Sequence, residues 1–277
     1  MKEVSVGKEL FGMVIDLDKC TGCGSCAVAC MAENNLSFRE DETDKLRTTT
    51  WMRLYRLNNR QPFPKTRVAF LPRPCMHCQH TPCVSVCPVN ATQIDEKGIV
   101  SQIYPRCIGC RYCVAACPYH ARYFHWWDPV YPKGMENYLN PDVSLAMRGV
   151  VNKCTFCHHR YQRAKDKAFM EERRDLKDGE YITACGEACP TGAITFGNLK
   201  DPQSQASQLS KSPRAFRLLE KLGSRPKVYY LTSQDWVRRQ GDNDLKKEAV
   251  QKGFIKIQGP RSQGFKGSRG STSTPFT

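Results

Sequence analysis

Sixteen of the 277 residues are cysteine, and they fall into four groups of four. Group one is Cys20, Cys23, Cys26 and Cys30, spaced C-x2-C-x2-C-x3-C. Group three, Cys107, Cys110, Cys113 and Cys117, repeats that spacing and is followed by Pro118. Group two, Cys75, Cys78, Cys83 and Cys87, widens the middle gap to four residues and ends at Pro88. Group four is split into Cys154 with Cys157 and Cys185 with Cys189, the last followed by Pro190. Disulfide scaffolds are usually short secreted chains with irregular spacing, so this regularity points to metal. Paired C-x2-C units also bind zinc, but zinc leaves the third cysteine and the repeated C-x3-C-P unexplained. The spacing suits cubane iron–sulfur clusters, in which three thiolates wrap one cluster and the fourth serves its neighbour.

A loop that curls round a cubane brings backbone close to the inorganic core, and Gly22, Gly24 and Gly109 suit such a loop. Backbone amides aimed at the sulfurs help to set the potential. The fourth cysteine of each group is expected to begin a helix, with proline at its first turn. Group one lacks that proline, because Met31 follows Cys30.

The formal net charge of +15 raises the question of nucleic acid or anionic lipid. The charge is uneven: from Asp201 onward the chain holds 15 of its 42 Lys and Arg but only 6 of its 27 Asp and Glu. A cubane with four thiolates carries about −2 when oxidised, so four of them offset the excess in the cysteine-rich region. The basicity then belongs mainly to the C-terminal stretch, where no nucleic-acid-binding module is recognisable. No apolar run approaches the roughly 18 residues needed to span a bilayer. Residues 1–10 contain Lys2, Glu3, Lys8 and Glu9 and have no apolar core, so they read as neither a secretory nor a twin-arginine leader.

Along the chain, Trp51 to Leu57 alternates like a strand, after a charged stretch from Arg39 to Arg47. Ala91 to Tyr104 reads as a hairpin with Glu96-Lys97-Gly98 at its turn. Ala164 to Leu176 reads as an exposed helix, residues 213–222 as a short helix and Lys227 to Thr232 as a strand. Residues 258–277 are low-complexity Gly, Ser and Lys. Tyr123 to Trp127 either lines an interface or packs in the core. His77, inside C-M-H-C, is expected beside the cluster ligands rather than among them, since four thiolates are already at hand. His158-His159-Arg160 and Arg173-Arg174 read as a solvated charged face.

Residues 11–199 resemble the four-cluster ferredoxin-like subunits of the polysulfide, dimethyl sulfoxide and nitrate reductase group, including menaquinone reductase and alternative complex III assemblies. The resemblance rests on the four groups and their flanks: Leu71-Pro72-Arg73-Pro74-Cys75, Pro82-Cys83-Val84, Cys107-Ile108-Gly109-Cys110-Arg111-Tyr112-Cys113, Lys153-Cys154-Thr155-Phe156-Cys157 and Ala188-Cys189-Pro190-Thr191-Gly192-Ala193. It implies an α+β fold with two ferredoxin-like lobes, each binding two 4Fe–4S clusters. Lobe 1 is 11–35 with 150–199, and lobe 2 is 70–125. Residues 36–69 and 126–149 are connecting insertions, and 200–277 is a basic C-terminal extension docking on partner subunits. Cluster 1 takes Cys20, Cys23, Cys26 and Cys189. Cluster 2 takes Cys154, Cys157, Cys185 and Cys30. Cluster 3 takes Cys75, Cys78, Cys83 and Cys117, and cluster 4 takes Cys107, Cys110, Cys113 and Cys87. Because Cys110 is present where some relatives lack it, four 4Fe–4S clusters are expected and no 3Fe–4S centre.

The function so implied is electron relay, with no catalysis by this chain. Its expected partners are a molybdopterin-type large subunit, an integral-membrane quinone-binding subunit and in some assemblies a multihaem cytochrome c. The expected place is peripheral to the membrane, on the periplasmic face, after export with a partner. The alternative is a free-standing soluble polyferredoxin.

Overall fold

The computed structural model describes residues 7–37 and 49–241. The charged stretch Arg39 to Arg47 and the low-complexity residues 258–277 lie outside these. Strand β1 (Phe11–Asp16) is buried along its whole length, as its run of Phe, Met, Val and Ile requires. After the Cys20–Cys23 loop comes helix α1 (Ser25–Glu33). Strands β2 (Arg53–Asn58) and β3 (Val68–Arg73) form an antiparallel hairpin. A one-turn helix α2 (Pro82–Ser85) precedes the short hairpin β4 (Thr92–Ile94) and β5 (Val100–Gln102). Next come the one-turn helix α3 (Tyr112–Ala115) and strand β6 (Tyr123–Phe124), which pairs with β7 (Val151–Asn152). Helix α4 (His158–Met170) starts on Cys157, and α5 (Ala184–Glu187) is again a single turn.

Strand β8 (Ile194–Asn198) returns antiparallel to β1. Helix α6 (Gln205–Ser210) packs over β1 and β8. Strand β9 (Ala215–Phe216) pairs with β10 (Val228–Leu231), and α7 (Asp235–Gly241) follows. The main sheet has the order β8-β1-β10-β9, with β10 parallel to β1. One face presents Phe11, Met13 and Ile15 to the main core, while Val14 and Leu231 meet Ala206 on the other.

Three local expectations differ from the fold. Residues 213–222 are not a helix: Ala215 and Phe216 pair with β10, and only Glu220–Leu222 make a 3-10 turn. Phe216 and Leu218 are both buried, a period of two that fits the sheet edge. The helix expected at 164–176 runs from His158 to Met170, beginning directly on group four. Finally, residues from 204 to 241 are built into the fold. The segment before β10 runs along the group-two loop, with Gln79 N–H donating to Arg225 O (2.9 Å) and Lys227 N–H to Met76 O (2.9 Å). Tyr119 Oη donates to Leu218 O (3.0 Å) and Tyr230 Oη to Pro72 O (3.0 Å). The stretch expected as an extension thus bridges the group-two loop and the main sheet.

Candidate metal centre

Each cysteine group is built from the same pieces. The third cysteine lies in a helix: Cys26 in α1, Cys83 in α2, Cys113 in α3 and Cys185 in α5. The fourth lies four residues on, about 6 Å along a helix axis. It therefore does not begin a helix, contrary to expectation. In groups two, three and four it sits just past the helix end, and its proline stops the helix there. With the helix ended, the N–H four residues later turns back to sulfur. Ala91 N–H donates to Cys87 Sγ (3.2 Å) and Ala193 N–H to Cys189 Sγ (3.3 Å). The Ala121 N–H bonds Cys117 in the same way.

Group one has no proline, and α1 runs on. Its Asn34 N–H stays within the helical pattern, donating to Cys30 O (3.2 Å). The Asn34 side chain donates from Nδ2 to Cys30 O (2.9 Å), and the same Nδ2 lies 3.8 Å from Cys30 Sγ and 3.9 Å from Cys157 Sγ.

The residue before each second cysteine has positive φ: Gly22 (76°), His77 (42°), Gly109 (68°) and Phe156 (56°). At Gly22 a Cβ would meet the Phe70 ring at 2.6 Å, and at Gly109 it would run into the Gly149 carbonyl. Neighbouring protein therefore enforces those glycines. In groups two and four the same position is occupied by rings, and these two rings stack on one another at 3.6 Å and 14°. His77 is fully buried, and its Nδ1 accepts the Val100 N–H (3.0 Å). Burial, then Lys153 and Lys227, hold its pKa well below the usual imidazole value. It is neutral and bonded to backbone.

The thiols ring cavities. One is lined by Cys20, Cys23, Cys26 and Cys189. Another is lined by Cys30, Cys154, Cys157 and Cys185, with Trp51, Met52 and Phe156. Helix α1 serves both, through Cys26 and Cys30, and Cys185 and Cys189 do so from the opposite side. Cys75, Cys78, Cys83 and Cys117 lie close enough to repel one another as thiolates. Cys113 faces Cys83 and Cys107. Cys87 follows α2, which packs on α3, and Cys110 is exposed in the loop before α3.

Burial raises many of these thiols: Cys26 to about 11, Cys78 to about 12 and Cys185 to about 12, with neighbouring cysteines adding to the effect. Cys30 is pushed well above its ordinary value by burial and then by Cys154, Cys185 and Cys157. Such a set ionises together only around a strong cation. Among the described residues, no three His, Cys, Asp or Glu converge on a single-ion site. Tetrads of thiols facing a shared space, with N–H groups aimed at sulfur, fit 4Fe–4S clusters.

Three cations are buried among the thiols. Lys153 donates to Val100 O and to Cys154 O, and Lys227 to Gly98 O. Arg122 donates to Cys83 Sγ (3.1 Å), Thr92 Oγ1 (3.2 Å) and Gln102 Oε1 (3.0 Å). Burial lowers Lys227 to about 8 and lowers Lys153 as well, against the opposing pull of nearby cysteines. Sequence spacing singled out none of the three, although Lys153 stands directly before Cys154. His159 and Arg160 also depart from the solvated face expected of them. Arg160 holds both oxygens of Glu33 at 2.7 Å and Glu187 at 2.6 Å, and His159 Nε2 lies 2.5 Å from Glu33. Arg160 thereby clasps the ends of α1 and α5.

Two family models, each described as a 4Fe–4S dicluster domain, match the chain, one over residues 66–134 and the other over 19–91 and 106–193. The chain belongs to the 4Fe–4S dicluster family. Its relatives are iron–sulfur subunits. It is 60% identical to the iron–sulfur cluster-binding subunit of menaquinone reductase from Nitratidesulfovibrio vulgaris, over 87% of this chain and 95% of the relative. It is 38% identical to the Hdr-like menaquinol oxidoreductase iron–sulfur subunit 1 of Archaeoglobus fulgidus, over 80% and 83% of the two chains. It is also 32% identical to the arsenate respiratory reductase iron–sulfur subunit of a Shewanella species, over 80% and 96%. This dicluster protein therefore holds four 4Fe–4S clusters on its sixteen cysteines and is an electron-transfer subunit. No helix among its described residues is long and apolar enough to cross a membrane.

Proposed function

We propose that this chain relays electrons between a catalytic or haem-bearing subunit and an integral-membrane quinone-binding subunit of a respiratory oxidoreductase complex. The observation that carries this reading is how exposure is distributed over the cysteines. Cys23 and Cys110 are exposed, and Cys20, Cys189, Cys107 and Cys87 are half-buried. The eight cysteines Cys30, Cys154, Cys157, Cys185, Cys75, Cys78, Cys83 and Cys117 are all buried. A wire needs open ends and an insulated middle. The grouping that gives this pattern is cluster 1 on Cys20, Cys23, Cys26 and Cys189, and cluster 2 on Cys30, Cys154, Cys157 and Cys185. Cluster 3 is then on Cys75, Cys78, Cys83 and Cys117, and cluster 4 on Cys87, Cys107, Cys110 and Cys113. Clusters 1 and 2 belong to a ferredoxin-like lobe of residues 11–35 and 150–199, completed by β10. Clusters 3 and 4 belong to a lobe of residues 70–125.

The bound clusters supply reversible one-electron chemistry. The chain's own part is to space them, exclude water from the middle pair and aim N–H groups at sulfur. It contributes no acid–base pair or nucleophile of its own. The Cys110 end is the side for the membrane subunit. Ile108 and Tyr112 are 65% and 64% exposed there, and Arg111 stacks over Phe124 and Trp126. Apolar exposure of this kind suits a protein partner. The complex lies on the periplasmic face, reached with a partner.

The test is anaerobic EPR on the native complex, with iron and sulfide quantified on the same sample. About sixteen iron and sixteen sulfide per chain, with four centres that become paramagnetic on reduction, is the expected result. Zinc without sulfide would sink the reading. Protease accessibility in intact spheroplasts tests the side of the membrane.

A further inference from the structure

Burying a cation without a counter-charge is strongly unfavourable. Lys153, Lys227 and Arg122 are all buried, and among the described residues none has a carboxylate within hydrogen-bond reach. Their partners are the carbonyls of Val100, Cys154 and Gly98, the side chains of Thr92 and Gln102, and one sulfur. Asp95, whose charge acts on Lys227, is engaged with the N–H groups of Lys97 and Ile99. The three cations share one neighbour: each lies close enough to Cys75 to feel its charge. Lys227 also faces Cys78, Lys153 also faces Cys83 and Cys154, and Arg122 also faces Cys83 and Cys113. The neighbours whose charges act on the group-one thiols Cys20 and Cys26 are other cysteines.

We propose that Lys153, Lys227 and Arg122 are the built-in counter-charge of the cluster held by Cys75, Cys78, Cys83 and Cys117, and that they raise its reduction potential so that this buried centre stays reducible. The inference rests on the cysteine grouping proposed above. The physical need is that of a buried site. One-electron reduction adds a negative charge to a cluster that four buried thiolates already make anionic. Water cannot reach it to stabilise that charge, whereas at the exposed end clusters it can. Fixed cations do so without reorganising. They come from three separate parts of the chain: Arg122 after group three, Lys153 at the start of group four and Lys227 at the start of β10. The centre therefore reaches its working potential only when β10 is in place. These are positioning residues, since only Arg122 touches a ligand sulfur.

An EPR-monitored redox titration of the native complex tests this, comparing wild type with Lys153→Met and Lys227→Met at matched iron content. One and the same reduction step should move furthest to lower potential in both variants. Unmoved steps, or all four steps moving alike, would overturn the proposal, as would different steps moving furthest in the two variants. Should either lysine variant fail to hold iron, Arg122→Gln and Arg122→Lys replace it. The Gln variant should lower the same step, while the Lys variant, which keeps the charge, should lower it less; equal shifts in the two overturn the proposal. Cys75→Ser and Cys117→Ser identify the centre. If these two alter different steps, the grouping itself fails. If they alter one step that is not the one the lysine variants move furthest, the counter-charge inference alone fails.

Discussion

A thiolate bound to iron keeps lone pairs that accept hydrogen bonds, and each N–H aimed at it favours the more negative, reduced state. Backbone supplies such donors at Cys87, Cys117 and Cys189, whereas a side chain does so at Cys30, where Asn34 reaches Cys30 and Cys157. Asn34→Leu keeps the size and removes the donor. Its expected outcome is an unchanged iron content with one reduction step at lower potential, read by EPR titration. The step should differ from the one that Lys153→Met and Lys227→Met move furthest. The four cysteine groups are legible in the sequence because iron chemistry dictates their spacing. Asn34 is not, although one signal is present: Met31 stands where the other groups have proline, and a group without that proline needs its donor from elsewhere.

At the level of the element, the cysteine loops turn on a positive φ before each second cysteine. Gly109→Ala combines left-handed backbone, costing about 1–2 kcal/mol, with a clash against the Gly149 carbonyl. Iron and sulfide per chain should fall by about one cluster. Gly24→Ala has equally positive φ but open space around it, so it should cost only the left-handed backbone, about 1–2 kcal/mol of stability, and leave the iron count intact. The hairpin at 92–102 was readable because Glu96-Lys97-Gly98 states its own turn, and Gly98 does adopt positive φ. Residues 213–222 were not, because Phe216 takes its conformation from Tyr230 across the sheet, a partner no local pattern announces. The one-turn helices α2, α3 and α5 are too short to show periodicity. Each carries the third cysteine of its group, with the fourth just past its end.

For the molecule as a whole, Arg160 is the clasp that holds α1 and α5 together around two cavities. Hydrogen bonds from Arg160, ahead of those from His159, hold the Glu33 carboxyl down at about 2, against an ordinary 4.5. A depressed carboxylate contributes stability that is fully present above 4.5 and is lost as pH falls through about 2. Arg160→Met leaves Glu33 half-buried with only His159 beside it. Removing one partner of a fully buried pair costs about 3–5 kcal/mol, so this partly solvated one should cost about 2. Its melting temperature should lie below wild type at every pH above 4.5, the margin shrinking as pH falls from there toward 2. A margin that closed near neutrality would exclude Glu33 as the cause. Removing iron acts more broadly. The chelated, reduced chain is left with crowded thiols and three buried cations without an anion. It should lose cooperative melting by near-ultraviolet circular dichroism, and regain it on reconstitution with iron and sulfide.

The parallel pairing of β1 with β10 joins segments more than two hundred residues apart. A ribosome adds about 5–20 residues per second, so β1 and the first three cysteines emerge roughly ten seconds or more before the strand that completes their sheet. During that interval the nascent chain exposes reactive thiols and an unpaired apolar strand, an invitation to oxidation and aggregation. Biogenesis therefore has an order written into the topology. Synthesis through Leu231 precedes closure of the sheet, and closure sets the latest moment at which iron can be loaded into the buried middle. A cell making this protein needs something to shelter the N-terminal third until its C-terminal strand arrives, and truncation just before Val228 should leave a chain that is degraded rather than one that merely lacks a tail.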